Sequence, residues 1–331
     1  MLFGTDRAAD ATAVGGFGGE RGRRLALGEA TISIPPGHIA GELERPFSIF
    51  DIEAKEDPSK HIVLVGKPRL LTPEAFVREA ASGDRGARAL LFVHGYNTKF
   101  ASGLYRTAQL AADFHIKGRV FHYSWPSGGA LLRYDYDSES ARQAQLYLRQ
   151  FLNLIVKDAG VTHLTVIAHS KGNDLVLSVL DSLATEQGAR VPGRFDELIL
   201  ASPDVDQDVA AQMLPRAALL FAGTTLYAND DDKALRISQK KAGNRRAGQL
   251  MADGFPMILP EIESIDATAA SFAALSLDHD AYVDDPFLRA DLQILLAKGT
   301  RPPDLRSPGR MLPRDSRRGR FWKLLPYGAG R

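Results

Sequence analysis

Short apolar runs recur through the middle of the chain, each ending at polar turn residues and followed by a stretch with helical spacing. Ala89-Leu90-Leu91-Phe92-Val93 is the clearest, with a helix predicted around 101–113 after it. Arg119 to Ser124, His163 to Ala168, Leu198 to Ala201 and Thr225 to Ala228 repeat the theme, with helices predicted from about Ser138 to Val156 and from Gly172 to Leu183. Uninterrupted apolar runs of this length suit strands covered on both faces, whereas a half-exposed strand would alternate. Strands alternating with helices make βαβ units, so the chain is predicted to be α/β, with a mostly parallel sheet and helices on both faces. Right-handed crossovers carry every strand-to-helix turn to one edge of such a sheet. The polar endings after Val93, Ala168 and Ala228 converge there.

Outside this rhythm the signals weaken. Thr31 to Ile34 alternates and stops at Pro35-Pro36, and Phe47 to Ile52 and His61 to Val65 are further strand candidates. Thr72-Pro73 reads as the cap and first residue of a helix over 73–81. A weaker strand near 263–266 precedes a loop and a last helix from Leu288 to Leu296. The first 25 residues, rich in Gly, Ala and Arg, are expected to run irregularly over the surface of a single domain spanning residues 1–300. Residues 301–331 carry nine Arg or Lys against two Asp, and their Pro, Gly and Arg content predicts a flexible, solvated tail. Phe321, Trp322, Leu324 and Leu325 give that tail a means of docking onto the body or a second copy of the chain, and its charge suits an acidic partner. The stretches 125–140 and 236–262 read as insertions over the converging edge.

Composition narrows the function classes. With 41 Lys or Arg against 40 Asp or Glu, the net charge of +1 gives no electrostatic case for nucleic acid or a membrane surface. Cysteine is absent, which removes disulfides, thiol catalysis and thiolate metal sites. No run approaches the ~18 apolar residues of a membrane span. The start, Met1 to Arg7, turns polar after four residues and does not read as a signal peptide. A cytoplasmic location is therefore expected for the chain as given, while a periplasmic or exported form would need a natural N-terminus further upstream. No G-x-G-x-x-G follows an early strand, which disfavours a dehydrogenase.

The turn after His163 to Ala168 carries the chemistry. Ala168-His169-Ser170-Lys171-Gly172 is a G-x-S-x-G nucleophile elbow with Ala in the first small position. A tight turn lifts the serine hydroxyl above the sheet, and small neighbours admit the helix backbone. The helix N-terminus adds free N–H groups and the positive end of its dipole, so Lys171 N–H can face a developing oxyanion. Upstream, Phe92-Val93-His94-Gly95-Tyr96-Asn97 puts a strand before His-Gly, where Tyr96 N–H is the candidate for the other oxyanion contact. His94, with Gly95 and Gly172, reads as support for the loop geometry. A serine N-cap on an ordinary βα turn is the plainer alternative, and this second signature argues against it.

Of eight histidines, only His279 follows Ser170; it lies in the polar loop Ser276-Leu277-Asp278-His279-Asp280. Elbow hydrolases order their triad Ser, acid, His along the chain, which makes His279 the expected base. The acid stays open between Ser202-Pro203-Asp204-Val205-Asp206 and Asn229-Asp230-Asp231-Asp232. The second loop is the one that normally delivers it. Asp232, just before a helix opening at Lys233, is preferred, with Asp230 and Asp204 as alternatives, and capping is the competing role for each. The three adjacent aspartates lack the spacing of a calcium loop and no H-E-x-x-H occurs, so neither a metal nor another cofactor is expected.

Together these segments resemble the bacterial α/β hydrolases of unknown function grouped in the DUF900 family, over roughly residues 1–297. The marks are Gly4-Thr5-Asp6-Arg7, Ile32 to Pro36, Leu91 to Thr98, Tyr123-Ser124-Trp125-Pro126-Ser127, the elbow through Asn173, Ser202 to Asp206, and Tyr227 through Leu235. The resemblance implies an α/β-hydrolase fold and a Ser-Asp-His hydrolase of unassigned substrate, with Ser170, Asp232 and His279 at the matching positions. Lys171 stands where Met is common in the family, and a cation beside the nucleophile would favour an anionic or polar acyl substrate. The expected activity is that of a carboxylesterase acting on small or moderately polar esters through an acyl-enzyme. A lipase, thioesterase or amidase would use the same groups, although no strongly apolar insertion offers a cap for long acyl chains. A non-catalytic binding or scaffold protein could also retain this fold.

Overall fold

The computed structural model describes residues 1–46, 48–49, 52–53, 55–83, 88–128, 133–187, 195–269 and 286–325. Its main sheet contains, in chain order, β1 (Leu2–Ala9), β2 (Phe17–Glu29), β3 (Arg69–Leu71), β4 (Ala89–Val93), β5 (Val120–Ser124) and β6 (Leu164–His169). β7 (Phe195–Ala201), β8 (Phe221–Ala228), β9 (Glu263–Asp266), β10 (Met311–Ser316) and β11 (Gly319–Leu324) follow. They lie side by side in the order β10-β11-β9-β8-β7-β6-β4-β5-β1-β2-β3. Every pairing from β11 to β1 is parallel, and antiparallel partners finish both edges.

The period of two sends alternate residues of each strand to opposite faces. Leu91, Val93, Val166 and Leu198 join one core with Phe76 of α1 (Pro73–Ala81), Leu148 and Phe151 of α3 (Tyr134–Asn153), Val176 of α4 (Gly172–Gln187) and Leu214 of α5 (Gln207–Ala218). Leu90, Phe92, Ile167 and Ile199 join the other with Leu110 of α2 (Phe100–Asp113) and Leu288, Leu292 and Leu295 of the helix Pro286–Lys298. Each such side chain taken fully out of water contributes about 1.5–3 kcal/mol, which is why the apolar runs are continuous. Helix α6 (Lys233–Ala242) follows β8, so Pro286–Lys298 is α7, and a short α8 (Pro303–Arg306) precedes β10. Among the described residues, no helix is long and apolar enough to cross a membrane.

Both ends of the chain depart from expectation. The first 25 residues are not irregular: they form β1 and most of β2, with β1 between β2 and β5. Glycine usually interrupts a strand pattern, but here it admits close packing. A Cβ on Gly28 would stand 2.3 Å from the ring of Phe3, which itself packs edge-on against Phe17 and Phe100. The basic segment does not behave as a flexible tail through residue 325, because it supplies α8, β10 and β11. Met311, Phe321, Trp322 and Leu324 are buried. Arg317-Arg318 makes the two-residue turn, without the Asn-Gly or Asp-Gly signal that would reveal a hairpin.

Two arginines of that segment turn inward. Arg306 Nε donates to Asp291 Oδ1 at 2.7 Å and its Nη1 to Glu263 Oε2 at 2.8 Å, while Tyr227 donates to Asp291 Oδ2 at 2.5 Å. Arg301 pairs with Glu263 and Glu197. Burial pushes the Glu197 carboxyl up to about 6 despite these cations.

Two peripheral expectations shorten. Val63–Leu64 pairs with Ile32–Ser33 apart from the main sheet. In the run from Phe47 to Ile52, Ser48–Ile49 pairs with Ile52–Glu53, and residues 47, 50 and 51 lie outside the described residues.

Asp6 on β1 is buried with Oδ1 accepting the Tyr123 hydroxyl at 2.9 Å and Oδ2 unpartnered among the described residues. Burial pushes its carboxyl up to about 7. An unfolded aspartate titrates near ~3.9, so between those values the folded chain holds the extra proton, and stability falls as pH rises through the window. Asp6→Asn removes that dependence. Thermal unfolding should show the variant gaining on wild type between pH 5 and pH 8, and an equal difference at both would overturn the account.

Candidate active site

Four strands end together. Register pairs Val93 with Ala168, His169 with Ala201, and Ala201 with Tyr227. The loops opening at His94, Ser170, Ser202 and Asn229 therefore leave the sheet side by side, spaced by roughly 4.8 Å per strand.

Ser170 sits between β6 and α4 at φ +49°, a left-handed conformation that costs a non-glycine residue about 1–3 kcal/mol. Backbone groups hold it there. Ser170 N donates to Ala201 O at 3.0 Å, and Asn173 Nδ2 and Asp204 N donate to Ser170 O at 2.9 and 3.1 Å. The neighbouring loop presses close: a Cβ on Gly172 would stand 2.4 Å from His94 O, and one on Gly95 would stand 2.9 Å from Ser170 Cβ. Smallness at both positions is what lets the two turns meet.

His94 is buried, with Nδ1 donating to Gly95 O at 2.8 Å. That bond leaves Nε2 as an acceptor, 3.3 Å from both Arg7 Nη2 and Ser124 Oγ. Trp125 Nε1 donates to His94 O at 2.8 Å, and the two rings stack at 5.1 Å. Burial and the Arg7 charge hold the imidazole well below its ordinary pKa. Its described hydrogen bonds thus run to Gly95 on its own loop and to Arg7, Ser124 and Trp125.

The candidate acids occupy different surroundings. Asp204 Oδ1 accepts from Ser238 Oγ at 2.5 Å and Arg246 Nε at 2.7 Å, and Oδ2 accepts from Tyr134 at 3.0 Å. Its carboxylate is thus committed to a buried pair with Arg246. Asp230 Oδ1 accepts from Leu250 N at 3.3 Å. Asp232 is the N-cap of α6, with Oδ1 accepting from Ala234 N at 2.9 Å and Leu235 N at 3.1 Å. Burial raises its pKa against the pull of those amides. The Ser202 side chain pulls in the same direction as the amides. His279, with Asp278 and Asp280, lies outside the described residues.

The two predicted insertions meet over this edge, where Tyr134 at the start of α3 lies 2.6 Å from Ser238 Oγ on α6 and packs edge-on against Tyr96. Lys171 does not present an unpaired cation beside the nucleophile. Its ammonium lies 2.9 Å from Asp174 Oδ2, and although burial opposes the charge, Asp174, Asp204 and Tyr134 raise its pKa overall.

Sequence reasoning missed the groups that fix the two loops. Asp137 on α3 accepts from Ser127 Oγ at 2.6 Å, Gly128 N at 2.7 Å and Asn97 N at 3.4 Å. Arg7 on β1 reaches the same loops. Its only signal was a charged residue pair, Asp6-Arg7, inside a short N-terminal motif.

A parallel sheet sandwiched by helices, with a strained serine at a strand-to-helix turn on its carboxyl edge, defines the α/β-hydrolase class. Residues 73–298 match the family described as alpha/beta hydrolase of unknown function (DUF900), and the chain belongs to that family. No curated protein matches the chain. Solved structures similar to it include a predicted CIB-like hydrolase from Thermoplasma acidophilum, at 16% identity and TM-score 0.30 over 60% of this chain and 79% of that one. Another is the carboxylesterase CesB from Bacillus subtilis, at 12% identity and TM-score 0.33 over 66% of this chain and 87% of that one.

Proposed function

We propose that the chain is a serine hydrolase acting on small or moderately polar carboxylic esters, with Ser170 as nucleophile, His279 as base and Asp232 as its orienting acid. The observation that carries this reading is Ser170 itself, held at φ +49° where β6 meets α4. Backbone strain of this kind clusters at functional sites, and a nucleophile lifted above the sheet on a tight turn requires it. Asp232 is favoured over Asp204 because the latter's oxygens are taken by Arg246, Ser238 and Tyr134. The ester preference draws on the described side chains grouped around the edge, Tyr96, Tyr134, Ser238 and Lys241, which are polar or amphipathic rather than an acyl-chain cap.

In the reaction, His279 takes the hydroxyl proton as Ser170 Oγ attacks the ester carbonyl, and Lys171 N–H and Tyr96 N–H receive the oxyanion. Collapse breaks the bond to the alkoxy group, which leaves as alcohol with the proton from His279. Water then attacks the acyl-serine by the same route, releasing the acid and restoring the hydroxyl.

A fluorophosphonate probe should modify the native chain at Ser170 alone, as read by peptide mass spectrometry, and lose that reaction after denaturation. An active-site-directed probe that leaves Ser170 unmodified in the folded protein, with no turnover of short p-nitrophenyl esters, would favour a binding or scaffold protein.

A further inference from the structure

We propose that Arg7 is the positioning residue of the oxyanion loop, an assignment that rests on the serine-hydrolase reading above. Arg7 belongs to β1, outside the residues 73–298 that match the family. Its side chain is buried, and each of its guanidinium N–H groups has an acceptor. Nε donates to Ser124 Oγ at 2.8 Å, and Nη1 donates to Gly18 O at 2.9 Å and Ser127 O at 3.0 Å. Nη2 donates to Thr98 O at 2.6 Å and to His94 Nε2 at 3.3 Å. None of these acceptors is a carboxylate.

The last two bonds bracket the segment from which Tyr96 N–H comes. His94 is held just after β4 and Thr98 two residues before α2, with one rigid planar group spanning both. The segment between them needs holding, because Asn97 is left-handed at φ +56°. On the far side Thr98 N donates to Ser127 Oγ at 3.1 Å, and Ser127 O is itself an Arg7 acceptor. Arg7 thereby ties the loop after β4 to the loop after β5 and sets where the Tyr96 amide points relative to Ser170. A donor acts on the transition state only when aimed where the oxyanion forms, so its alignment appears in kcat more than in KM. Lysine keeps the charge but offers three donors on one atom and cannot span these acceptors.

The test compares wild type, Arg7→Lys, Ser127→Ala and Arg306→Lys, the last altering a buried arginine in the separate cluster with Asp291. Each is assayed with short p-nitrophenyl esters well below its own unfolding temperature. Arg7→Lys should lose about 30–300-fold in kcat with KM within about 3-fold, approaching the loss of one oxyanion donor. Ser127→Ala, a smaller truncation on the same loop, should move kcat in the same direction. Arg306→Lys should lower the melting temperature while leaving kcat unchanged. Hydrogen exchange should quicken in the peptide covering 94–98 of Arg7→Lys and not in that covering the β6 strand. A folded Arg7→Lys with wild-type kcat would overturn the assignment, as would a kcat loss shared by Arg306→Lys. Should Arg7→Lys fail to fold, an unchanged kcat in Ser127→Ala overturns it. An inactive, probe-resistant wild type would instead overturn the hydrolase reading, whereas active wild type with unaffected loop variants sinks only the role of Arg7.

Discussion

Ser170→Ala should lower turnover of short p-nitrophenyl esters by about 10⁴-fold or more, because removing the nucleophile of a triad leaves only the oxyanion contacts and binding to act. The variant should also fold. The hydrogen bonds that anchor the turn use the backbone N and O of Ser170, with Ala201, Asn173 and Asp204 as partners, and among the described residues none uses its hydroxyl. Alanine must accept the left-handed φ as serine does, so the backbone cost is similar in both. Circular dichroism and melting temperature matched to wild type, together with lost turnover and lost fluorophosphonate labelling, are the expected outcome. Purified variant within about tenfold of wild-type turnover would remove Ser170 from the mechanism, since no triad nucleophile is so dispensable.

The largest expected loss of stability lies elsewhere. Asp291→Ala should cost about 3–5 kcal/mol in urea unfolding, the range for removing one partner of a buried ion pair. Asp291 and Arg306 both have 0% side-chain exposure. Truncation leaves the Arg306 guanidinium with the Glu263 carboxylate as its remaining described anionic partner and removes the Asp291 acceptor from the Tyr227 hydroxyl. Because Arg306 carries α8 against α7, the hairpin of β10 and β11 is expected to loosen first, and proteolysis near residue 310 should rise. A loss below about 1 kcal/mol would mean that water reaches this cluster and screens it, as at surface pairs.

How much the sequence could disclose follows from the range over which each feature is assembled. The strands β4 to β8 were legible because burial on both faces forces continuous apolar runs. The elbow was legible because turn, nucleophile and helix start occupy five consecutive residues, and the limits on Gly95 and Gly172 follow from that local geometry. The Arg7 contacts were not, since a strand residue meets loops far away in sequence. Helix α5 went unread because Pro215 lies inside it and its cap, Asp206, sat in a loop already weighed for catalysis. Asp204 looked available until Arg246, far along the chain, took its carboxylate. The chain ends were misread for opposite reasons: glycines in β2 disguise a strand whose partner is aromatic, and arginines on β10 and β11 disguise a hairpin whose inner residues are apolar.

The position of β1 also bears on how the protein is made. This strand is synthesised well before one of its two neighbours, β5, where Thr5 Oγ1 donates to Ser124 O across 119 residues of sequence. Until then β1 has only the β2 hairpin, with one edge and its buried Asp6-Arg7 pair open to solvent. Contacts of such separation slow folding and prolong the exposure of unpaired edges. The nascent β1-β2 hairpin therefore waits for its partner, a stage at which a chaperone that shields strand edges would act.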